Sequence, residues 1–259
     1  MLYQPALRTL VVMPTYNERD SLPVTLAHLM EHVRCDVLIV DDNSPDGTGA
    51  IADELAQNHT TIHVMHRQAK DGLGAAYIAG FQWALERHYD LVCEMDADGS
   101  HQPHDLPRLL AQAEADASLS GVIGSRWVAG GAVARWPWHR QVLSRGGNLY
   151  VKFMLGLPLH DATAGFRVYR ANTLEHLNLQ DIESHGYCFQ VDMTRRVISQ
   201  GGAIAEVPIT FIERESGESK MSGAIVREAL LRVTQWGIDR RKSRVSQWVT
   251  SLRAQRNKP

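Results

Sequence analysis

Two carboxylates, Asp96 and Asp98, stand one residue apart in the stretch CEMDADGSHQP, directly behind the apolar run Leu91-Val92-Cys93. In an extended segment alternate side chains share a face, so the two point the same way with Ala97 between them. Anions held that close repel unless a cation rests on them. The economical occupant is a divalent ion bound through oxygen, with substrate phosphates and water completing its shell. An isolated Asp-x-Asp more often caps the following helix or faces water; here the neighbouring polar clusters weigh the other way. A zinc site from Asp96, Asp98, His101 and His104 is the weaker alternative, because the His-Gln-Pro-His spacing suits the start of a helix.

A second acidic pair, Asp41-Asp42, opens DDNSPDGT. Its Pro45-Asp46-Gly47 turn starts a helix, so the pair ends a strand, as in crevices where a carboxylate contacts a ribose or base. Asp42 is the expected ligand and Asp41 the structural partner. KDGLGAAYIAGF has neither Gly-x-Gly-x-x-Gly spacing nor a P-loop lysine, which argues against dinucleotide binding and ATP hydrolysis. Its Gly72, Gly74 and alanines suit close helix packing. Further along, Arg126, Arg140, Ser144, Arg145, Arg167, Arg214 and Lys220 are spread through loops rich in Gly and Ser. Singly each reads as a solvated surface group; together they suggest a second phosphate-bearing ligand, since guanidinium forks onto phosphate and a hydroxyl adds a donor.

These residues need a frame. Apolar runs at 9–13, 36–40, 61–65, 90–95 and 121–125 alternate with helical patterns near 19–33, 47–57, 74–87 and 104–115. The runs are apolar on both faces, as in a sheet covered by helices on each side, which predicts a doubly wound, mostly parallel α/β sheet. Ligands of such sheets bind beyond the carboxyl ends of the strands, where PTYNE, DDNSPDGT and DADGSHQP converge. After Ser125 the pattern predicts a Gly/Trp-rich loop over 126–140, an apolar helix at 146–157 and a strand near 165–169. Helices at 171–177 and 188–200, a single strand over 205–213 and an amphipathic helix at 222–237 follow.

The 259 residues and 44% hydrophobic content suit one large domain. Three cysteines without CxxC pairing, Cys35, Cys93 and Cys188, fit a reduced cytosolic setting, and no apolar window is long enough to span a bilayer. The net charge of −2 hides an asymmetry: from Lys220 onward there are ten basic residues and two acidic ones, so an acidic body carries a basic tail. Such a tail suits an anionic surface. Nucleic acid is disfavoured, because no aromatic platform accompanies the charge. The apolar stretch from Leu149 to Leu157 reads equally as a buried helix or as one lying against lipid. In the last helix Ile225, Ala229, Val233 and Trp236 share one side, ahead of the basic run DRRKSR.

In order, VVMPTYNE, VDDNSPDGT, GLGAAYIAGF, EMDADGSHQP, GSRW, SRGGNLY, DATAGFRVYR, GYCFQVDM and ERESGESKMS resemble the polyprenol (dolichol) phosphate mannose synthases, inverting family 2 glycosyltransferases with the GT-A fold. The resemblance implies one catalytic domain over residues 1–238, with a nucleotide-binding half (9–125) and an acceptor-binding half (126–238), followed by a basic tail (239–259). It implies GDP-mannose as donor, a polyprenyl phosphate as acceptor, Mg2+ or Mn2+ as cofactor, and work at the cytoplasmic face of the membrane, with an integral membrane protein as a partner. Carried over by motif, Pro14, Tyr16, Glu18, Val40 and Asp42 hold the guanosine. Asp96, Ala97 and Asp98 hold the diphosphate and metal, and Arg214 and Lys220 close over the donor phosphates. Arg126, Arg140 and Ser144 receive the acceptor phosphate. Ser100 stands where some members carry a metal-binding Gln, and so becomes a metal ligand through its hydroxyl or a water. Asp192 lies where relatives with hydroxyl acceptors keep a base; here it is assigned orientation or sugar contact. A sister activity with UDP-glucose, or a non-catalytic binding role, are the competing readings.

Overall fold

The structure, a computed structural model, describes residues 2–182, 187–213 and 227–242. The strands β1 (Thr9–Thr15), β2 (Asp36–Asp41), β3 (Ile62–His66), β4 (Leu91–Glu94) and β5 (Leu119–Ser125) alternate with the helices α1 (Ser21–His32), α2 (Thr48–Asn58), α3 (Leu73–Glu86) and α4 (Leu106–Ala115). The short strand β6 (Ala132–Ala134) precedes α5 (Trp138–Leu155), β7 (Arg167–Arg170), α6 (Ala171–His176), α7 (Tyr187–Ser199), β8 (Ala203–Pro208) and β9 (Thr210–Ile212). A further helix, α8, runs over residues 227–242.

Among the described residues, seven strands form one sheet in the order β3-β2-β1-β4-β7-β5-β8, in which β7 alone runs antiparallel to its neighbours. Strict alternation explains how it is covered. Val11, Met13, Val37 and Ile39 pack with Leu22, Leu26 and Leu29 of α1 and Leu106, Leu109 and Leu110 of α4. Leu10, Val12, Leu38 and Val40 face the other way, onto Tyr77 and Phe81 of α3 and Phe189, Met193 and Val197 of α7. Gly80 lets α3 approach β1, since a β-carbon there would collide with Val12. The strand order reverses between β1 and β4, and at such a point the loops beyond neighbouring strands part to leave a crevice.

Two expectations need correction. The helix expected at 146–157 begins at Trp138, so its middle contains Gly146 and Gly147, and it stops where Gly156 takes a positive φ of 58°. The single strand expected over 205–213 is two: β8 ends at Pro208, which has no N–H to continue a ladder, and β9 pairs with β6 in a separate two-stranded sheet. The amphipathic face of the last helix is internal. Val233 and Trp236 pack with Val151, Met154, Leu155 and Val191, while Leu230, Leu231 and Ile238 are the exposed apolar residues.

Candidate active site

The loops after β1 and β2 are stapled together by short polar side chains. Buried Asp41 accepts hydrogen bonds from the Thr15 hydroxyl at 3.0 Å and from the Ser44 amide and hydroxyl at 3.1 and 2.6 Å. The Asn17 amide donates to the Ser44 hydroxyl, and the Glu18 amide to Thr48. Asp41 is thus structural, as expected. Asp42 is paired at 2.6 Å with Arg67, which projects from just after β3; burial nevertheless holds its carboxyl above its usual value. Tyr16 carries the Lys70 ammonium 3.6 Å from its ring centre, and Glu18 accepts from Ser21. Pro14 is half-buried at the rim of this wall. Val40 is not on it: its side chain is wholly enclosed between the sheet and α3, so the expected nucleotide contact is corrected to a core position.

The β-ladder of β4 ends at Glu94, yet the alternation continues: Asp96 and Asp98 are half-exposed and Ala97 is buried. The chain bends over 97–99 and is no longer an extended strand there, but both carboxylates stand close enough to oppose ionisation of the Tyr77 hydroxyl. The loop is pinned from beneath. Tyr77 donates to Asp96 at 2.9 Å, and the Ala97 carbonyl accepts from Thr25 at 2.9 Å, so Ala97 supports the turn rather than lining it. The Asp96 amide donates to Nδ1 of His101 at 3.0 Å. Burial, then the charges of Asp96 and Glu94, hold the Tyr77 hydroxyl well above its usual range, so it stays a donor. His101 is buried and stacked on Phe166 with ring centres 5.0 Å apart. With Nδ1 spent on the Asp96 amide, it is part of the loop's scaffold, and no cluster of three His, Cys, Asp or Glu suited to a metal exists among the described residues. The zinc alternative is set aside on that geometry.

The Ser100 hydroxyl is buried without a hydrogen-bond partner among the described residues, while its amide donates to Asp98 at 3.0 Å. Two carboxylates on one short loop and an unsatisfied hydroxyl two residues further on fit a hard cation that draws its remaining ligands from a bound diphosphate.

The second cluster gathers around α5. Arg126, at the end of β5, is buried and forks onto Asp161, with Nε and one Nη each 2.7 Å from a carboxylate oxygen; the same Nη donates to Thr163 at 2.9 Å. Asn148 donates to Asp161 and Thr163 from the other side. Burial opposes the charge on Asp161, but the Arg126 guanidinium outweighs it and holds the carboxyl below its usual value. Arg140 pairs with Glu213 and lies over the Trp136 ring, 4.3 Å from its centre; Arg145 lies over Trp127. Arg140, Ser144 and Asn148 recur every fourth residue, one stripe of α5 facing Arg126.

Phe211 joins the two clusters. Its ring contacts His101 on one side and Trp136 on the other, at 5.7 and 5.4 Å, and the Arg126 guanidinium lies 5.5 Å from its centre. The Ile212 amide donates to the Ser100 carbonyl. Along the chain, Gly165 abuts His101 and Asp96 just two residues beyond Thr163.

One further expectation falls. Arg167 is wholly buried, donating to the Ala162 and Ala164 carbonyls, Tyr169 and Thr194, so it is a core arginine and no phosphate ligand. Asp192, assigned orientation or sugar contact, is buried on α7 and held by Arg195 and Arg196. Arg214 and Lys220 lie outside the described residues. Asn148, Asp161, Thr163, Trp136 and Phe211 escaped sequence reading, although Asn148, Asp161 and Thr163 sit inside SRGGNLY and DATAGFRVYR.

The model of glycosyl transferase family 2 matches residues 10–177, and the chain belongs to that family. It is 54% identical over 245 residues to the polyprenol monophosphomannose synthase of Mycolicibacterium smegmatis, covering 93% of this chain and 91% of that protein. Its identity to the undecaprenyl-phosphate mannosyltransferase of Micrococcus luteus is 58% over 233 residues, covering 90% and 95%. Among solved structures it is similar to glucosyl-3-phosphoglycerate synthase from Mycobacterium tuberculosis in complex with Mn2+, UDP-glucose and phosphoglyceric acid, with a TM-score of 0.67 at 18% identity over 89% of this chain and 80% of that one. A mannosyltransferase from Pyrobaculum calidifontis in complex with GDP-mannose and Mn2+ superposes with a TM-score of 0.55 at 18% identity, over 84% and 59%. The fold is that of the GT-A glycosyltransferases.

Proposed function

We propose that this protein transfers mannose from GDP-mannose to a polyprenyl phosphate, inverting the anomeric centre to give a β-linked mannosyl phosphate lipid. The observation that carries this reading is the apposition, through Phe211, of a paired-carboxylate loop and an arginine stripe, in a chain more than half identical to two lipid-phosphate mannosyl enzymes. Tyr16, Glu18 and Asp42 form the nucleoside wall. Asp96, Asp98 and Ser100 would hold Mg2+ or Mn2+, which when bound supplies charge neutralisation for the departing diphosphate. Arg140 and Ser144, with Arg126 braced by Asp161, would receive the acceptor phosphate. On Arg140 that phosphate takes the place now held by the Glu213 carboxylate. Arg214 and Lys220 are proposed to close over the donor phosphates.

A phosphomonoester has a second pKa of about 6 and reaches the site already ionised. Its oxygen attacks the anomeric carbon as the bond to the nucleoside diphosphate breaks, so no side chain has to remove a proton. Positioning by the arginines dominates.

No helix among the described residues is long and apolar enough to cross a membrane. In this reading the lipid acceptor is met at a surface. Trp138, Val142, Leu149 and Phe153 of α5 and Leu230, Leu231 and Ile238 of α8 are exposed apolar side chains, with Arg241 beside Phe153. We assign this face to the anionic cytoplasmic leaflet, where an integral membrane protein would adjoin it.

Incubating the protein with radiolabelled GDP-mannose or UDP-glucose, a polyprenyl phosphate and Mg2+ or Mn2+ tests the whole reading. Lipid-linked label from GDP-mannose alone, abolished by chelation, is the expected result. Label from UDP-glucose instead would reassign the donor, and none from either would leave a binding protein.

A further inference from the structure

We propose that Trp136 is a ligand of the acceptor's phosphate: its ring holds Arg126 and Arg140 in place, and its indole N–H donates a hydrogen bond to a phosphate oxygen. The inference rests on the acceptor assignment made above. Trp136 is 8% exposed, and Nε1 has no hydrogen-bond partner among the described residues. A buried N–H left unpaired costs free energy, and an indole nitrogen can only donate, so the position calls for an acceptor. Its surroundings specify which kind. The Arg140 and Arg126 guanidinium carbons lie 4.3 and 5.5 Å from the ring centre. Trp127 meets the ring at a steep angle, and its own Nε1 also lacks a partner among the described residues. Every one of these groups is donor-only; the two guanidiniums already hold Asp161 and Glu213, while the two indole N–H groups lack an acceptor among the described residues. Their common complement is a ligand that only accepts and carries negative charge, as a phosphate dianion does.

The backbone favours the same conclusion. Arg135, immediately before Trp136, has φ of 62°, a left-handed conformation costing a non-glycine residue roughly 1–2 kcal/mol. Strain of that kind persists only where the surroundings demand a particular side-chain placement. Here it sets the indole between β6 and α5, against Phe211 and under Arg140. Arg140 is paired with Glu213 in this state. A phosphate that replaces the Glu213 carboxylate on Arg140 supplies the acceptor that the indole N–H lacks.

The experiment observes the indole N–H directly. In native protein labelled with 15N-tryptophan, and with Trp136→Phe used to assign the resonance, titration with a short-chain prenyl monophosphate should shift the Trp136 Nε1–H signal downfield. The corresponding free prenol should leave it in place. Trp136→Phe keeps a ring under Arg140 and loses the donor. It should raise the acceptor KM about 10-fold or more, the size of a lost hydrogen bond to a charged group, without moving the donor KM or Tm. Trp136→Leu, which removes the ring as well, should be worse. A resonance that stays still at saturating acceptor while native protein turns over would overturn the role of Trp136 alone. Failure of native protein to use any prenyl phosphate would overturn this role and the acceptor assignment together.

Discussion

Arg126 and Asp161 show why a buried charge pair is conditional on both members. Neither side chain reaches bulk water, and each carboxylate oxygen is taken by the guanidinium fork. Asp161→Asn would leave the guanidinium buried beside a neutral amide. We expect a loss of about 3–5 kcal/mol of folding stability, measured by urea denaturation. Glu94 poses the opposite case. It is fully buried, and burial, only partly offset by Arg167 and Gln190, raises its carboxyl from 4.5 to about 8. A group protonated more tightly in the folded state favours folding most below its unfolded value and loses that contribution as the pH rises through its folded one. Stability should therefore fall between pH 4.5 and about 8 through this group. Glu94→Gln, which mimics the neutral acid, should flatten that part of the curve. These environments were invisible in the sequence, where Arg126, Arg140 and Arg167 look alike. Only the fold distinguishes an arginine spent on a carboxylate, one stacked over Trp136, and one bonded to carbonyls inside the core.

Helix α5 has an inward face, polar in its first half and apolar in its last, and an outward one. Arg140, Ser144 and Asn148 look toward the site, Val151 and Leu155 pack under α8, and Trp138, Val142, Leu149 and Phe153 face outward. With Phe153 73% exposed, Phe153→Glu should change folding stability by no more than about 0.5 kcal/mol while weakening sedimentation with anionic vesicles. Leu155→Ala should do the reverse: about 2–5 kcal/mol of stability lost, with vesicle binding per folded molecule unchanged. The helix was only half legible. Its apolar end is periodic, but Gly146-Gly147 and the Trp-Pro-Trp before it read as loop. Glycine costs a helix roughly 1 kcal/mol against alanine, and packing under α8 outweighs that penalty.

Across the whole molecule, charge is segregated. From Lys220 to the end of the chain there are ten basic residues against two acidic ones, while the rest of the chain is acidic on balance. Helix α8 carries part of this positive charge as far as residue 242, with Arg240 against Gly156 and Arg241 over Phe153. A cut after Ile238 would remove these packed residues, so the informative deletion is after Lys242. We expect it to weaken binding to anionic vesicles, at roughly 1 kcal/mol for each basic residue that engages the surface, and to leave GDP-mannose affinity unchanged. Co-sedimentation at rising salt checks it, since the difference between full-length and shortened protein should shrink as screening increases.

The chain order alone determined the α/β class, the polar loops that follow β1, β2 and β4, and the place of Asp96 and Asp98 just beyond β4. Each follows from a local period, of two residues in strands and about 3.6 in helices, and from polar residues placed where strands end. Tertiary structure decided what local periods cannot encode. It inserted β7 antiparallel between β4 and β5, enclosed Val40 and Arg167, turned the Val233–Trp236 face of α8 inward, and set Phe211 between the acidic loop and the arginine stripe. These outcomes depend on contacts between residues far apart in the chain, whose energies are settled only when the whole core closes.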